Sequence, residues 1–249
     1  MMAERPRYLL SLGDRVSMDA YAGGPGRGAA SLLYQNRDTD FPDWAGRDLK
    51  THLPGSRLIP LAMDGGTSAT VRYAQLPRFA EMSVKAAVVT ITMGGSDLFQ
   101  IFGNESAVEA AHQALKENGA AILVQLRKLA ERDAPILLGT LCQPSDGTDD
   151  AAHQGLWGWS GALPWIARFN TTLRGLAEVH DARLVDLHTG FEEYGPASGK
   201  IPAQPPDPRP VNQGGYGHGV IEPNAQGASA IRAAWWQALL AADFLHEKR

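Results

Sequence analysis

The sequence of 249 residues contains a single cysteine, Cys142, which excludes an internal disulfide and is typical of a reducing compartment. Basic residues are not in excess: 23 Lys and Arg stand against 27 Asp and Glu, so the net charge of -4 gives no support to nucleic-acid binding. No run of about 18 apolar residues occurs, so we expect no membrane-spanning helix. No hydrophobic signal segment precedes the first apolar run, and we expect a cytoplasmic protein.

Metal and phosphate motifs are also missing. Asp64 and Asp97 have no histidines at ligand spacing, and the acidic stretch 146–150 lacks the glycine and glutamate of a calcium-binding loop. The glycine-rich segment 23–26 follows no strand and precedes no Lys-Ser or Lys-Thr pair. We therefore expect no metal and no cofactor. The predicted partner is a small-molecule substrate, bound by a monomer or a homodimer.

Apolar runs of strand length alternate with helical patterns along the whole chain. This alternation predicts one domain over residues 1–249, in which a five-stranded parallel sheet lies between two layers of helices. Leucines and isoleucines recur at helical spacing near residues 122–129 and 166–176, and a last helix is expected from about residue 225. The predicted strands cover residues 8–12, 57–62, 86–93, 135–141 and 182–187.

Three long segments break the alternation, at residues 21–48, 143–161 and 194–219. They are rich in glycine, proline or acidic residues and are expected to be irregular; loops of this length commonly cover a binding pocket. Trp157 in the second segment is a candidate for the pocket wall. The alternative is that its side chain packs the loop onto the body of the domain. Of the adjacent Trp235 and Trp236, one is expected to face inward and the other to face solvent or a partner.

The first predicted strand ends in Gly13-Asp14, and the next residue is Arg15. A glycine at this place suits a tight turn, which would point the following side chains toward the carboxyl edge of the sheet. A guanidinium stays protonated and cannot attack a carbonyl, but it can hold a carboxylate or a developing oxyanion. The alternative is that Arg15 only pairs with a nearby carboxylate and fills space.

Polar segments follow other predicted elements as well. Asp64 and Gly65 come after the second strand, and the segment 94–97 (Gly-Gly-Ser-Asp) comes after the third. The segment 222–224 (Glu-Pro-Asn) stands before the last helix, where Asn224 is a suitable N-terminal cap. Because the carboxyl ends of parallel strands lie along one edge of a sheet, these segments are expected to meet there.

In order and spacing, these segments resemble the blocks of the SGNH (GDSL) hydrolases, and the resemblance covers most of the chain. It implies a flavodoxin-like SGNH hydrolase fold and a diverged active site. Arg15 stands where the family has its nucleophilic serine, Ser96 where it has the asparagine that donates to the oxyanion, and Glu222 where it has the catalytic histidine. Gly65 matches the glycine whose N–H helps to bind the oxyanion, and Asp97 matches an aspartate that organises the loop.

The residues that we expect to bind substrate lie at the strand ends or in the second long segment: Asp64, Gly65, Gly95, Ser96, Asp97 and Trp157.

Three functions remain open. In the first, the chain is an enzyme that performs non-hydrolytic acid/base chemistry on a small carbonyl compound, by isomerisation, elimination or cyclisation. Asp14 and Arg15 would then act together with Glu222 or His218. In the second, it is an esterase or acyltransferase in which Ser17 attacks and His218 is the base. In the third, it is a non-catalytic protein that binds a small molecule.

Overall fold

The computed structural model describes residues 6–142, 161–188 and 223–245. Five parallel strands form one sheet in the order β2-β1-β3-β4-β5, which confirms the predicted α/β fold and its five-stranded parallel sheet. The strands are β1 (Tyr8–Gly13), β2 (Arg57–Pro60), β3 (Ala86–Thr92), β4 (Ile136–Gly139) and β5 (Arg183–Val185).

The strand order reverses between β1 and β3. The chain passes from β1 to β2 on one side and then returns to add β3, β4 and β5 on the other. Such a reversal opens a crevice at the carboxyl ends of the two central strands, where ligands bind in open parallel sheets. Gly13, the last residue of β1, pairs in register with Thr92, the last residue of β3. The residues that follow these two strands therefore leave the sheet side by side.

Helices cover both faces of the sheet. No helix in the described part of the chain has the length and apolar character needed to cross a membrane. Short 3₁₀ helices occupy Arg15–Ser17 and Pro42–Trp44, and a π-helix occupies Val71–Gln75. The α-helices are α1 (Ala29–Tyr34), α2 (Leu49–His52), α3 (Ser68–Thr70), α4 (Leu76–Glu81), α5 (Gly95–Phe99), α6 (Glu105–Leu129), α7 (Ala162–Val179) and α8 (Ala225–Leu240).

Two apolar cores lie on opposite faces of the sheet. Alternate residues of β1 point to opposite faces, so Leu10 belongs to the same core as Ile122 of α6, and Leu9 belongs to the same core as Ile231 of α8. The first core contains α4, α6 and α7, and the second contains α1 and α8. All seven residues of β3 are buried, which explains why that strand is a continuous run rather than an alternating one.

The segment 21–48 is less irregular than we predicted from its glycines and prolines. It contains α1 and the 3₁₀ helix Pro42–Trp44. Leu32 and Leu33 of α1 are fully buried in the core shared with α8, and this burial stabilises a helix that composition alone did not indicate. Residues 143–160 and the predicted segment 194–219 lie outside the described part of the chain.

Trp235 and Trp236 are both buried, so the prediction that one of them faces solvent or a partner is wrong. The ring of Trp236 lies edge-on to Trp44, with centroids 6.4 Å apart, and edge-on to His52, with centroids 5.1 Å apart. The chain between α1 and β2 therefore covers the side of α8 that we expected to face solvent or a partner.

A fully buried arginine joins α8 to the same part of the chain. The guanidinium carbon of Arg232 lies 3.9 Å from the ring centroid of Trp44 and 5.1 Å from that of Phe41. Its Nη1 donates to Asn36 Oδ1 at 2.7 Å. Burial lowers the pKa of Arg232 to about 9, so the side chain still carries its charge at neutral pH and is held by the aromatic faces.

We predict that Gly13→Ala destabilises the protein far more than Gly24→Ala does. Both glycines have nearly the same positive φ, +116° and +117°, so the backbone penalty is matched. A Cβ on Gly13 would stand 1.7 Å from the Thr92 carbonyl oxygen, whereas a Cβ on Gly24 meets nothing within 4 Å. In urea unfolding we expect the free energy of unfolding to fall by about 3 kcal/mol or more for Gly13→Ala and by about 1 kcal/mol for Gly24→Ala. Equal losses would show that the close approach to Thr92 is unimportant.

Candidate active site

The site is built on the turn after β1. The side chain of Gln75, which is buried in the π-helix, holds the peptide groups of Gly13 from both sides. Gly13 N donates to Gln75 Oε1 at 2.8 Å, and Gln75 Nε2 donates to Gly13 O at 2.7 Å. The positive φ of Gly13 and this pair of hydrogen bonds together fix the direction in which the chain leaves β1.

Asp14 follows this turn and is the N-terminal cap of the 3₁₀ helix Arg15–Ser17. Only 3% of the residue is exposed. Its Oδ1 accepts from Val16 N at 3.1 Å and from Thr92 Oγ1 at 2.9 Å. Its Oδ2 points toward Gly95, where an added Cβ would stand 3.1 Å away. One oxygen of the carboxyl is therefore held by hydrogen bonds, and the other lies beside Gly95, which also lines the cleft.

Burial raises the pKa of the Asp14 carboxyl to about 6. The hydrogen bonds from Thr92 and Val16 and the charge of Arg15 act in the opposite direction, and the neighbouring Asp97 adds to the rise. Desolvation is the largest of these effects. A carboxyl with a pKa in this range can both take up and release a proton near neutral pH.

A cleft opens beside Asp14 at the carboxyl ends of β1, β3 and β4. The empty space in this cleft and at its open side, solvent included, amounts to about 520 Å³. Polar groups and backbone form one part of the wall, and apolar side chains form the rest. The lining residues are Asp14, Arg15, Val16, Thr92, Met93, Gly95, Ser96, Phe99, Thr140, Leu141 and Cys142.

Arg15 lies in the wall of the cleft, and 29% of its side chain is exposed. Its Nε is 3.4 Å from Oδ1 of Asp64, and its guanidinium carbon lies 6.0 Å from the ring centroid of Tyr21. The Tyr21 hydroxyl in turn donates to Asp64 Oδ2 at 2.8 Å. Pairing with a carboxylate was the alternative that we gave for Arg15, and the side chain combines this pairing with a place in the cleft wall.

Ser17 is buried under the turn, with 5% of the residue exposed, and it is not among the residues that line the cleft. Its Oγ lies 3.1 Å from Thr92 Oγ1. Thr92 uses its one hydroxyl hydrogen toward Asp14, so Ser17 must be the donor in this pair. The three side chains form a chain of hydrogen bonds that ends on the Asp14 carboxyl.

Ser96 lines the cleft, and Asp97 beside it points away into a buried network. The Asp97 carboxylate accepts from Ser68 N at 2.8 Å and from Ser68 Oγ at 2.5 Å. Asn118 donates to the same Ser68 hydroxyl at 3.1 Å and accepts from Arg72 at 3.1 Å. These bonds connect the turn after β3 to α3 and α6.

Of the remaining candidates, two are described and three are not. Gly65 has a positive φ of +64° and accepts at its carbonyl from Gln100, and neither it nor Asp64 is among the cleft-lining residues. Glu222, His218 and Trp157 fall outside the described residues.

Sequence reasoning missed two residues that shape the site, Thr92 and Gln75. Thr92 had a weak signal, because it is a hydroxyl residue at the end of a mostly apolar strand. Gln75 had none, since it acts across 62 residues of sequence on a backbone group. Cys142 also lines the cleft, but burial raises the pKa of its thiol, so it is not a thiolate at neutral pH.

Comparison with known proteins supports the fold. No protein-family model and no curated protein matches the sequence. Among solved structures, an α/β hydrolase enzyme from the metagenome of Lake Arreo, Spain, is similar over 97% of both chains, with 17% identity and a TM-score of 0.60. The acetylxylan esterase Axe2 from Geobacillus stearothermophilus is similar over 94% of both chains, with 14% identity and a TM-score of 0.59. At these identities the likeness shows a hydrolase-like fold.

We predict that Gln75→Leu destabilises the protein by about 2 to 4 kcal/mol, because it leaves the buried N–H and C=O of Gly13 without partners. The matched control is Gln100→Leu, since Gln100 is exposed and makes one hydrogen bond to a backbone carbonyl. For it we expect a change within about 0.5 kcal/mol. Chemical denaturation measures both. A loss for Gln75→Leu no larger than that of the control would contradict the assigned role.

A second prediction concerns Asp14 and pH. Its pKa in the folded protein, about 6, lies above the ordinary value of 3.8, so the folded state binds the proton more tightly than the unfolded state does. Its contribution to stability is therefore full at low pH and is lost as pH rises through about 6. Between about pH 4 and about pH 7, the free energy of unfolding of the wild type should fall by about 2 to 3 kcal/mol relative to that of Asp14→Asn.

Urea unfolding at a series of pH values measures this difference. Asp133→Asn removes an exposed carboxylate and serves as the control, for which we expect the same pH dependence as the wild type. Identical pH profiles for the wild type and Asp14→Asn would show that the Asp14 pKa is not raised.

Proposed function

We propose that this protein is an enzyme that moves a proton on a small carbonyl-containing substrate, with Asp14 as the acid/base group. The single observation that carries the proposal is the buried Asp14 carboxyl in the cleft, with a pKa of about 6. The reaction would be an isomerisation, an elimination or a cyclisation. In each of these, a proton leaves one atom of the substrate and another atom gains one, without attack by a protein nucleophile.

The arrangement around Asp14 supports this role. With Oδ1 held by Val16 and Thr92, Oδ2 is the oxygen placed to take the proton from a carbon next to the substrate carbonyl. The electron pair released from the C–H bond then moves onto the carbonyl oxygen. The same Asp14 carboxylic acid returns the proton to a second position of the substrate or to the leaving group.

Two neighbouring side chains supply polar contacts. Arg15 would anchor a substrate oxygen at the side of the cleft, because a guanidinium held by Asp64 is already oriented. The hydroxyl of Ser96 would donate to the carbonyl oxygen as its negative charge grows. Glu222 or His218 remains our proposal for a second proton-transfer group.

The esterase alternative is weaker on this geometry. Nucleophilic attack needs a hydroxyl that reaches the substrate and a base that accepts its proton. The Ser17 hydroxyl is instead buried and donates to Thr92. Some of the similar structures are esterases, so the experiment below also tests this alternative.

The test is hydrogen–deuterium exchange into a panel of small aldehydes, ketones and keto acids in deuterated buffer, followed by proton NMR. The wild type should speed exchange of the acidic C–H of at least one compound, with a rate that rises as pH passes about 6. Asp14→Asn should lower that rate by about a hundredfold or more, because it removes the base. Ser17→Ala should change it by less than about threefold, because that hydroxyl only supports Asp14.

Hydrolysis of p-nitrophenyl acetate and labelling with a serine-directed phosphonate complete the comparison. Ester turnover that disappears in Ser17→Ala, together with a covalent adduct on Ser17, would replace the proposal by the esterase alternative. Full exchange activity in Asp14→Asn would also overturn it. Ligand binding without any product, in every assay, would favour the non-catalytic alternative.

A further inference from the structure

The cleft wall contains apolar side chains and a cation, and this combination indicates its substrate. Met93 and Leu141 are buried apolar residues of the wall, and Phe99 is a half-buried one. The cation is nearer to solvent, since 29% of the Arg15 side chain is exposed while only 3% of Asp14 is. A matching ligand has an apolar body and one anionic group, which stays close to water.

Among the described residues near the cleft, the charges favour a group with one negative charge. Arg15 is already paired with Asp64, and Asp14 lies next to it in sequence and also lines the cleft. A dianion such as a phosphate monoester would lie near two carboxylates and one guanidinium. Its attraction to the guanidinium would not compensate for the free-energy cost of its desolvation. A carboxylate needs less positive charge and fits the planar guanidinium.

We propose that the substrate is a small monocarboxylate, with its carboxylate on Arg15 and its apolar body against Met93, Phe99 and Leu141. This assignment rests on the proposed function, and it names the oxygen that Arg15 anchors. The substrate carbonyl and its acidic C–H then lie between the carboxylate and the apolar end, within reach of Asp14.

The experiment is isothermal titration calorimetry near neutral pH with three probes of similar shape: 3-methylbutanoate, 3-methylbutanamide and isobutyl phosphate. None of them is expected to turn over, so binding is measured without catalysis. The wild type should bind the carboxylate at least about tenfold more tightly than the amide or the phosphate, because the amide has no charge to pair with Arg15 and the phosphate has more negative charge than Arg15 can balance.

Arg15→Gln should weaken carboxylate binding by about tenfold or more and leave amide binding within about twofold. Arg168→Gln is the matched control. Arg168 also pairs with a carboxylate, that of Glu109, and also lies over an aromatic ring, that of Trp165, but it is not among the cleft-lining residues. Its carboxylate affinity should equal that of the wild type. Thermal unfolding checks that both variants are folded.

Asp14→Asn should bind the carboxylate at least as tightly as the wild type, because it removes a like charge from the cleft. This variant separates the two proposals. If exchange activity depends on Asp14 while Arg15→Gln leaves carboxylate affinity unchanged, the substrate assignment fails and the proposed function stands. If the carboxylate binds through Arg15 but no carbonyl compound exchanges, the proposed function fails and the ligand assignment stands.

Three results would overturn the assignment directly. They are equal affinity for the carboxylate and the amide, tighter binding of the phosphate, and no detectable binding of the carboxylate at its highest soluble concentration.

Discussion

The close contact between the ends of β1 and β3 is the constraint on which the candidate site depends. Gly13 lies against the Thr92 carbonyl so closely that no side chain fits, and Gln75 holds both of its peptide groups. This contact directs Asp14 and Arg15 over the carboxyl edge of the sheet, where the strand order reverses.

The electrostatics of the site follow from how few groups stabilise the Asp14 charge. Two hydrogen bonds, from Val16 and Thr92, and the nearby Arg15 do not compensate for its burial, and the pKa of the carboxyl rises. The fold thereby gives up stability at neutral pH to keep a carboxyl in the cleft. Such a conflict between stability and local chemistry is common where a side chain has a functional role.

The structural similarity to esterases does not determine the chemistry of this cleft. A shared fold places strand ends, turns and a crevice in the same arrangement, but the chemistry depends on the residues at those places. In this chain a guanidinium occupies the turn, and the nearby hydroxyl of Ser17 is used inside the protein. The turn that exposes a residue after β1 is compatible with more than one kind of reaction, and the cleft of this protein contains an acid and a cation.

The sequence by itself determined the fold class and the places where polar residues follow strands, because these depend on local periodicity and on glycine in tight turns. It therefore led to Asp14, Arg15 and Ser96 in one cleft. Only the tertiary structure decided what Gln75 and Arg232 do, because each acts through groups distant in sequence, with no local pattern to mark the pairing. Burial likewise set the pKa of Asp14, since desolvation is a property of the packed surroundings.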